Sequence, residues 1–318
     1  AAYMLGWLTE NGTMLAQRGN DNDPNRTPTY WLNLGDWCAP FDLPSQELVH
    51  TFYLWRCLDN TARAARALSL PADEEFYGRK AAEVAGAFHK RFYNPEVKSY
   101  GDFGSNVFAL EMGVPETYRN DVVETLAKEI GEKHGGHLNT GIFATRYLFE
   151  QLGANGLNDL AYGAMTKRGY PGFGHWLDQG ATVTWEKWNG QDSHNHPMFG
   201  GALMWFYNTL AGVRIEESAP GFRHFTVCPV LAEGLPSVRY STMTPMGEVV
   251  SEVSHAPGEV SVTVTVPVGS AATVIIPLPE TAGATVRFAD GTPVKNGAVN
   301  GGRFVTEVGQ GTWEFVAK

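Results

Sequence analysis

In the stretch MFGGALMWFYNTLAGVRIEESAPGFRHFTVCPVL, residues 198–231, the hydrophobic period changes from that of a helix to that of a strand. Up to Ala211 the apolar residues recur with helical spacing, whereas from His224 onward they alternate by two, the spacing of a half-buried strand. Gly212 lies at the change. We therefore predict a helical domain over residues 1–212 and an antiparallel β-sandwich over residues 213–318.

The N-terminal half has the pattern of paired helices. Ser45 is a predicted N-cap and is followed by an apolar stripe that ends before Pro71. Pro71 suits the first turn of a second helix, which has acids in its first turn and bases in its last. The period predicts further helices at 103–112, 116–132, 139–152, 157–167 and 198–211. Such helices with short Gly- and Pro-containing connections are typical of stacked α-hairpins, with the functional residues in the connections.

The C-terminal half contains short segments rich in Val and Thr, separated by Gly, Pro and Asp-Gly. Seven or eight strands at such spacing predict an antiparallel sandwich. The segments are HFTVCPVL, SVRYSTMT, GEVVSEVSH, GEVSVTVTVPVG, AATVIIPLP, ATVRFAD and GTWEFVAK.

Composition excludes several classes of function. With 318 residues, 43% hydrophobic and 18% charged, the chain can bury a large core. The 24 Lys and Arg against 34 Asp and Glu give a net charge of -10, which repels phosphate backbones, so we expect no nucleic-acid partner. No run of eighteen apolar residues occurs, so no membrane span is expected. Cys38, Cys57 and Cys228 lie far apart and match no disulfide or metal framework, and they indicate no compartment.

Residues 180–200, GATVTWEKWNGQDSHNHPMFG, contain an acid between two tryptophans. Neither strand nor helix spacing places Trp185, Glu186 and Trp188 on one face, so a loop is predicted. In one interpretation the indoles stack on the C–H face of a sugar while Glu186 reaches its anomeric side. In the other, both indoles fill the core beside the loop and Glu186 is solvated. The residues alone do not decide between these two interpretations.

Polar residues in the neighbouring connections have two interpretations each. Asp36, next to Trp37, suits hydroxyl binding or the capping of a turn. In residues 193–196, His and Asn side chains such as His196 suit sugar hydroxyls, since each offers a donor and an acceptor; Ser193 or the Asn could instead cap the next helix. No H-x-x-x-H or C-x-x-C partner accompanies them, so no metal is expected.

The connection YPGFGHWLD, residues 170–178, is rich in aromatic residues and glycine. We expect Tyr170 and Phe173 to be core aromatics of an ordered turn, whereas Trp176 and Asp178 lie closer to the candidate site. Elsewhere, Asp102 is a predicted helix cap. No G-x-S-x-G, no G-x-G-x-x-G after a strand and no P-loop occurs, so no cofactor is expected.

Taken in order, six motifs resemble glycoside hydrolase family 78, the bacterial α-L-rhamnosidases. The resemblance covers nearly the whole chain and implies an (α/α)6 barrel that carries the site, followed by a C-terminal β-sandwich. The motifs are G-D-W (35–37), H-L-N-T-G-I-F-A-T (137–145), Y-P-G-F-G (170–174), G-A-T-V-T-W-E-K-W (180–188), N-H-P-M-F-G (195–200) and L-A-G (210–212).

The resemblance also implies roles for residues. Glu186 would be the general base that activates water in an inverting hydrolysis of a rhamnose-containing glycan or glycoside, and His196 a hydroxyl ligand of the rhamnose. Asp36 and Trp37 would line the sugar pocket, with the indoles of residues 185 and 188 near it. Inversion also needs an acid on the leaving-group oxygen, roughly 6.5–9.5 Å from the base.

The sequence departs from the family pattern at that acid. In the family it lies in a stretch of the form G-D-R-D-E-R upstream of G-D-W, and no such stretch occurs here. The early barrel helices and the N-terminal β-domains have no counterpart either. The chain thus resembles the later part of the catalytic domain plus the sandwich, to be completed by a missing N-terminal portion or another subunit. Within the chain, Asp178 and Asp36 are the candidate acids.

Three hypotheses follow. The first is a glycosidase with Glu186 as base, and the second is a non-catalytic carbohydrate-binding protein that lacks one carboxylate. The third is another (α/α)6 enzyme, a different glycosidase or a polysaccharide lyase. A lyase needs basic residues to neutralise the substrate's carboxylate, and only Lys187 lies between Arg168 and Arg214, which disfavours it.

Overall fold

The computed structural model describes residues 1–15, 35–280 and 283–318. Two compact units are present, and each combines two segments of the chain. One comprises Ala1–Gln151 and Gly163–Gly201, and the other comprises Leu152–Tyr162 and Ala202–Lys318. The predicted order of a helical domain followed by a β domain is confirmed. Besides the β domain, the second unit contains two short helical segments, one that precedes residue 163 and one that follows residue 201.

The helical part is a series of α-helices. Among the described residues, none of these helices is long and apolar enough to cross a membrane. The helices are α1 Ala2–Leu5, α2 Gln46–Ala67, α3 Pro71–Phe92, α4 Phe103–Met112, α5 Glu116–Lys128, α6 Ala144–Ala154, α7 Asn158–Thr166, α8 Phe173–Asp178 and α9 Leu203–Trp205.

Helices α2 and α3 form the hairpin that the sequence predicts. The Ser45 side chain accepts a hydrogen bond from the Leu48 amide at 3.2 Å and so caps α2. Pro71 occupies the first turn of α3, where its missing N–H costs nothing. Phe52 and Phe88, one from each helix, are fully buried. Asp102 caps α4, as predicted, because its side chain accepts hydrogen bonds from the amides of Gly104 and Ser105.

Two predicted helices differ from those observed. The helix predicted at 139–152 begins only at Ala144, because residues 141 and 142 donate their amides to Asp36 and Trp37 instead of forming a helical turn. The helix predicted at 198–211 consists of a 3-10 turn, the short α9 and a π turn. At its start a side chain on Gly201 would place Cβ 2.8 Å from Cβ of Arg146, so the close packing requires glycine.

The β part contains two five-stranded sheets. Their strand orders are β1-β2-β6-β9-β8 and β3-β4-β5-β10-β7. Among the described residues, every strand pairing is antiparallel except that of β2 with β6, which is parallel. The strands are β1 Val213–Ile215, β2 His224–Val227, β3 Ser237–Thr244, β4 Gly247–Ala256, β5 Glu259–Val266, β6 Ala271–Pro277, β7 Val286–Phe288, β8 Gly297–Asn300, β9 Arg303–Val308 and β10 Gly311–Ala317.

Alternation by two builds the sandwich core. Along β5 every second residue is buried, and β6 repeats the pattern, as expected for strands with one face toward a core. The fully buried side chains include Phe225, Val264, Val274 and Ile276. Strands β1, β8 and β9 are not among the predicted segments. Cys38, Cys57 and Cys228 are all free thiols.

A histidine links two carboxylates on the surface of the first sheet. His224 Nδ1 lies 2.9 Å from a Glu216 oxygen, and its Nε2 lies 3.1 Å from a Glu307 oxygen. Hydrogen bonding to Glu307, and then to Glu216, raises the pKa of His224 above its usual value. A raised folded-state pKa means that the stabilisation is complete below the unfolded pKa and is lost as the pH rises through the folded value.

We expect His224→Ala to lower the melting temperature at pH 5.5 and to have a much smaller effect at pH 9. Thermal unfolding of both proteins at the two pH values measures this. His255→Ala, at an exposed position of β4, is the control. Equal losses at both pH values would show that the charge on His224 contributes nothing.

Candidate active site

Residues 184–196 form an irregular loop, as predicted. Backbone hydrogen bonds join its first and last residues, from the Glu186 amide to the Ser193 carbonyl at 2.8 Å and from the His196 amide to the Thr184 carbonyl at 2.9 Å. The Thr184 hydroxyl adds a bond to the His196 carbonyl at 2.7 Å. The loop therefore holds Glu186, Ser193 and His196 close together without regular strand structure.

The carboxylate of Glu186 is oriented by one donor on each oxygen. Trp37 Nε1 donates to Oε1 at 3.2 Å, and the Ser193 amide donates to Oε2 at 3.3 Å. His196 Nδ1 lies 3.8 Å from Oε2. The Glu186 side chain is 19% exposed, so it is not the solvated acid of the packing interpretation. A carboxylate oxygen has two lone pairs, so each one can still accept a bond from water.

Cys38 lies beside this carboxylate in a left-handed backbone conformation with φ of 67°. Burial, and then the negative charge of Glu186, raise the pKa of its thiol to about 12. The thiol therefore stays protonated at neutral pH and does not compete as a nucleophile.

Asp36 is a buried cap. Its side chain is 0% exposed, and it accepts the amides of Gly141 at 2.7 Å and of Phe143 and Ala144 at 3.0 Å each. Burial raises the pKa of Asp36 to about 6, although the three amides act to lower it. For this residue the structure supports the capping alternative and not hydroxyl binding, because the carboxylate is fully buried and bonds to amides at the start of α6. The same burial removes Asp36 from the candidate acids.

The G-D-W and N-T-G motifs meet at a close backbone contact. The Ile142 amide donates to the Trp37 carbonyl at 2.8 Å. A side chain on Gly141 would place Cβ 2.2 Å from that carbonyl oxygen, so only glycine fits. Asn139 Oδ1 accepts the amides of Phe41 and Asp42 at 3.1 and 3.3 Å. These contacts fix the backbone of Trp37, whose indole in turn contacts Glu186.

Two of the predicted sugar-binding tryptophans lie in the core. Trp176 and Trp188 are each 2% exposed and stack on one another with ring centroids 4.4 Å apart. Their N–H groups donate to the carbonyls of Trp188 and Thr140, respectively. A ring so buried offers no face to a ligand, so the packing alternative accounts for both. Phe173 packs edge-on against the same pair, as expected of a core aromatic.

Trp185 supports the tip of the loop. Its ring is 8% exposed and stacks on His194 with centroids 4.1 Å apart. A side chain on Gly190, which has φ of 76°, would approach the indole to 2.8 Å. His194 Nε2 lies 2.7 Å from the Gly190 carbonyl oxygen. Trp185 therefore fixes the loop conformation from within.

The remaining predicted site residues lie in different surroundings. Asp178 is exposed at the end of α8 and forms an ion pair with Arg168 at 2.5 Å. The His196 side chain is 27% exposed beside Glu186. Tyr170, expected in the core, is 42% exposed instead. Among the described residues, no group of three or more His, Cys, Asp or Glu is arranged to hold a metal ion.

The sequence interpretation missed two groups that contact or adjoin Glu186. The Ser193 amide is a backbone group, which no side-chain pattern indicates. Cys38 directly follows the G-D-W motif, so its position in the sequence could have indicated that it lies near Glu186.

The chain is thus of the class of proteins built from helical hairpins, with an oriented carboxylate, that of Glu186, held in a connection between helices. The family model described as the bacterial alpha-L-rhamnosidase 6 hairpin glycosidase domain matches residues 8–210. The chain belongs to this family. A second model, the bacterial alpha-L-rhamnosidase C-terminal domain, matches residues 212–287.

Relatives and solved structures agree with this assignment. An alpha-L-rhamnosidase of Formosa agariphila is 31% identical over 202 residues, which are 60% of this chain and 21% of that protein. The structure of an alpha-L-rhamnosidase from Dictyoglumus thermophilum matches with a TM-score of 0.82 at 30% identity, covering 90% of this chain and 34% of that one. A Streptomyces avermitilis alpha-L-rhamnosidase complexed with L-rhamnose matches with a TM-score of 0.83 at 25% identity, over 100% of this chain and 30% of that one.

The chain spans only part of these proteins. It covers 21% to 33% of the length of the curated relatives.

Proposed function

We propose that this chain contributes the general base to the inverting hydrolysis of terminal α-L-rhamnosides. The observation that carries the proposal is the Glu186 carboxylate, 19% exposed, with one donor on each oxygen and a histidine 3.8 Å from Oε2. Family membership supports the substrate class, since related proteins are alpha-L-rhamnosidases.

In the proposed reaction Glu186 removes a proton from a water molecule as its oxygen attacks the anomeric carbon. The bond from that carbon to the leaving oxygen breaks on the opposite face, so an α-rhamnoside yields β-rhamnose. The leaving oxygen takes a proton from an acid or departs as an anion. Trp37 and the Ser193 amide keep one carboxylate oxygen directed at the water, and holding reactants in place is itself a large part of catalysis.

We assign sugar contact to His196 and to the half-buried indole of Trp37. Both lie within reach of Glu186, and an imidazole can donate to one hydroxyl and accept from another. Trp176, Trp185 and Trp188 shape the site from behind and do not face the sugar. The acid is assigned to no residue of this chain, because Asp36 is fully buried and Asp178 is paired with Arg168.

The test is hydrolysis of 2,4-dinitrophenyl α-L-rhamnoside by the 318-residue chain. This leaving group departs without a proton, so the base alone is examined. Proton NMR of the first sugar released is expected to show β-rhamnose, which then equilibrates with the α anomer. Initial release of α-rhamnose would indicate a retaining reaction and would contradict the proposal.

A further inference from the structure

The β-containing unit has a cavity that shares no residue with the Glu186 loop. Its volume is about 490 Å³, within the range of about 300–1,000 Å³ that small-molecule sites occupy. The cavity is partly open to solvent, and its lining residues lie between positions 229 and 303 of the second unit. It is therefore large enough and accessible enough for a small molecule.

The two sheets of the sandwich both contribute to this cavity. The first sheet supplies the residues that follow β2, the end of β6 and the start of β9. Strand β2 is parallel to β6 and β9 is antiparallel to it, so these three segments lie at the same end of the sheet. The second sheet supplies the turn between β4 and β5. The cavity therefore lies between the sheets at one end of the sandwich.

The walls are mainly apolar and stiff. They include Pro229, Pro257, Pro277 and Pro279, and the other apolar lining residues are Val and Leu, with one Gly. A proline ring has no rotamer freedom to lose and no backbone N–H to leave unpaired, so it can cover an apolar ligand at little cost in entropy. Among the described residues that line the cavity, none is Phe, Tyr or Trp, so no aromatic face is offered to a sugar ring.

A positively charged residue lines the cavity beside these walls. Arg303 is half-buried and lies between Pro277 of β6 and Asn300 of β8 in the sheet register, which fixes its backbone. Its Nη1 donates to Cys228 Sγ at 2.7 Å, and it has no carboxylate partner among the described residues. Arginine has five N–H donors in a planar fork that matches a carboxylate, so four remain for an anion.

Two further ionisable residues of the lining are exposed. His255, near the end of β4, has no side-chain partner among the residues that the structure describes, and its ring can donate to an anion. Glu280 follows β6, and water and salt screen its charge because it is exposed. The charge of the half-buried Arg303 is screened less, so the cavity favours an anion over a cation.

We propose that this cavity binds a small apolar carboxylate, with the carboxylate on Arg303 and the hydrocarbon body against the prolines. Such a molecule matches both the charge and the apolar walls, whereas a sugar or a cation matches neither. None of the residues assigned to rhamnoside hydrolysis takes part, so this binding is independent of the proposed function.

Calorimetric titration of the 318-residue chain at pH 7.5 compares 4-phenylbutyrate with 4-phenylbutanamide, which share one apolar body and differ in charge. We expect the carboxylate to bind about 10- to 100-fold more tightly, because hydrogen bonds to charged groups are the stronger ones. Arg303→Met should lower the affinity for the carboxylate to that for the amide. Arg287→Met, at an exposed arginine of β7, is the matched control and should keep the difference.

Two further variants guard against a change in folding. Val230→Trp fills the cavity and should abolish the binding of both compounds. Should Arg303→Met bind neither compound, Arg303→Lys decides, since a retained preference for the carboxylate supports the proposal and a lost preference contradicts it. Equal affinities of the unmodified chain for the two compounds, or binding of neither, would overturn the proposal. So would a preference for the carboxylate that survives in Arg303→Met, or unchanged binding to Val230→Trp.

Discussion

Glu186→Gln is expected to lower the rate of rhamnoside hydrolysis by roughly 10²–10⁴-fold, the contribution of a positioned general base. The amide has nearly the same shape as the carboxylate, and its oxygen can still accept the Trp37 N–H, but it cannot take a proton from water. We expect the affinity for L-rhamnose to stay within about threefold, because the substitution removes only the group that acts in the transition state.

Rates with 2,4-dinitrophenyl α-L-rhamnoside, together with calorimetric titration of L-rhamnose, measure the two effects separately. Glu132→Gln, at an exposed position outside the loop, is the matched control and should hydrolyse at the unmodified rate. Retained turnover in Glu186→Gln would remove this residue from the base role. A rate loss accompanied by a lost affinity would assign Glu186 to sugar binding instead.

Asp36→Ala is expected to destabilise the helical part by about 3–5 kcal/mol, because three amides lose their acceptor and two of them are in buried residues. A buried amide that lacks a hydrogen-bond acceptor costs more free energy than an exposed one, which can bond to water. The loss is large for a domain whose free energy of unfolding is only about 5–15 kcal/mol. Urea unfolding at pH 7.5 measures the change. Asp102→Ala removes a cap that bonds only to its own helix and should cost about 1 kcal/mol. Equal losses in the two variants would show that the long-range contacts of Asp36 contribute nothing.

The ionisation of Asp36 adds a dependence on pH. Its folded-state pKa of about 6 lies above the ordinary value of 3.8, so ionisation is less favourable in the folded chain than in the unfolded one. The free energy of unfolding therefore falls as the pH rises from about 4 to about 6 through this group. Asp36→Ala should lack this portion of the pH dependence, and unfolding curves at pH 4.5 and 7.5 would show it.

Local features of the fold could be predicted from the sequence. The Ser45 cap, the first-turn proline of α3 and the alternation along β5 and β6 all act through neighbours in the chain, which a pattern of residues records. Strand β8 was missed because it is four exposed residues that include glycine, which breaks the alternation. Strand β9 does alternate, with every second residue buried, so its pattern was present in the sequence and was overlooked.

Features set by contacts between distant segments could not be predicted. Asp36 meets residues more than a hundred positions away, so the sequence left its two interpretations open. The burial of Trp176 and Trp188 likewise depends on Phe199 and Thr140 from other segments. The loop conformation of residues 184–196 was predictable, since no regular period fits it, whereas the donors that orient Glu186 were not.

Chemical rescue of Glu186→Ala by azide tests whether Glu186 is the general base. Azide needs no base, so it can attack the anomeric carbon from the face that Glu186 serves while 2,4-dinitrophenolate departs. We expect this variant to hydrolyse 2,4-dinitrophenyl α-L-rhamnoside slowly and added azide to restore the rate, with β-L-rhamnosyl azide as the product seen by proton NMR. An α-configured azide, or a rate that azide leaves unchanged, would contradict Glu186 as the general base.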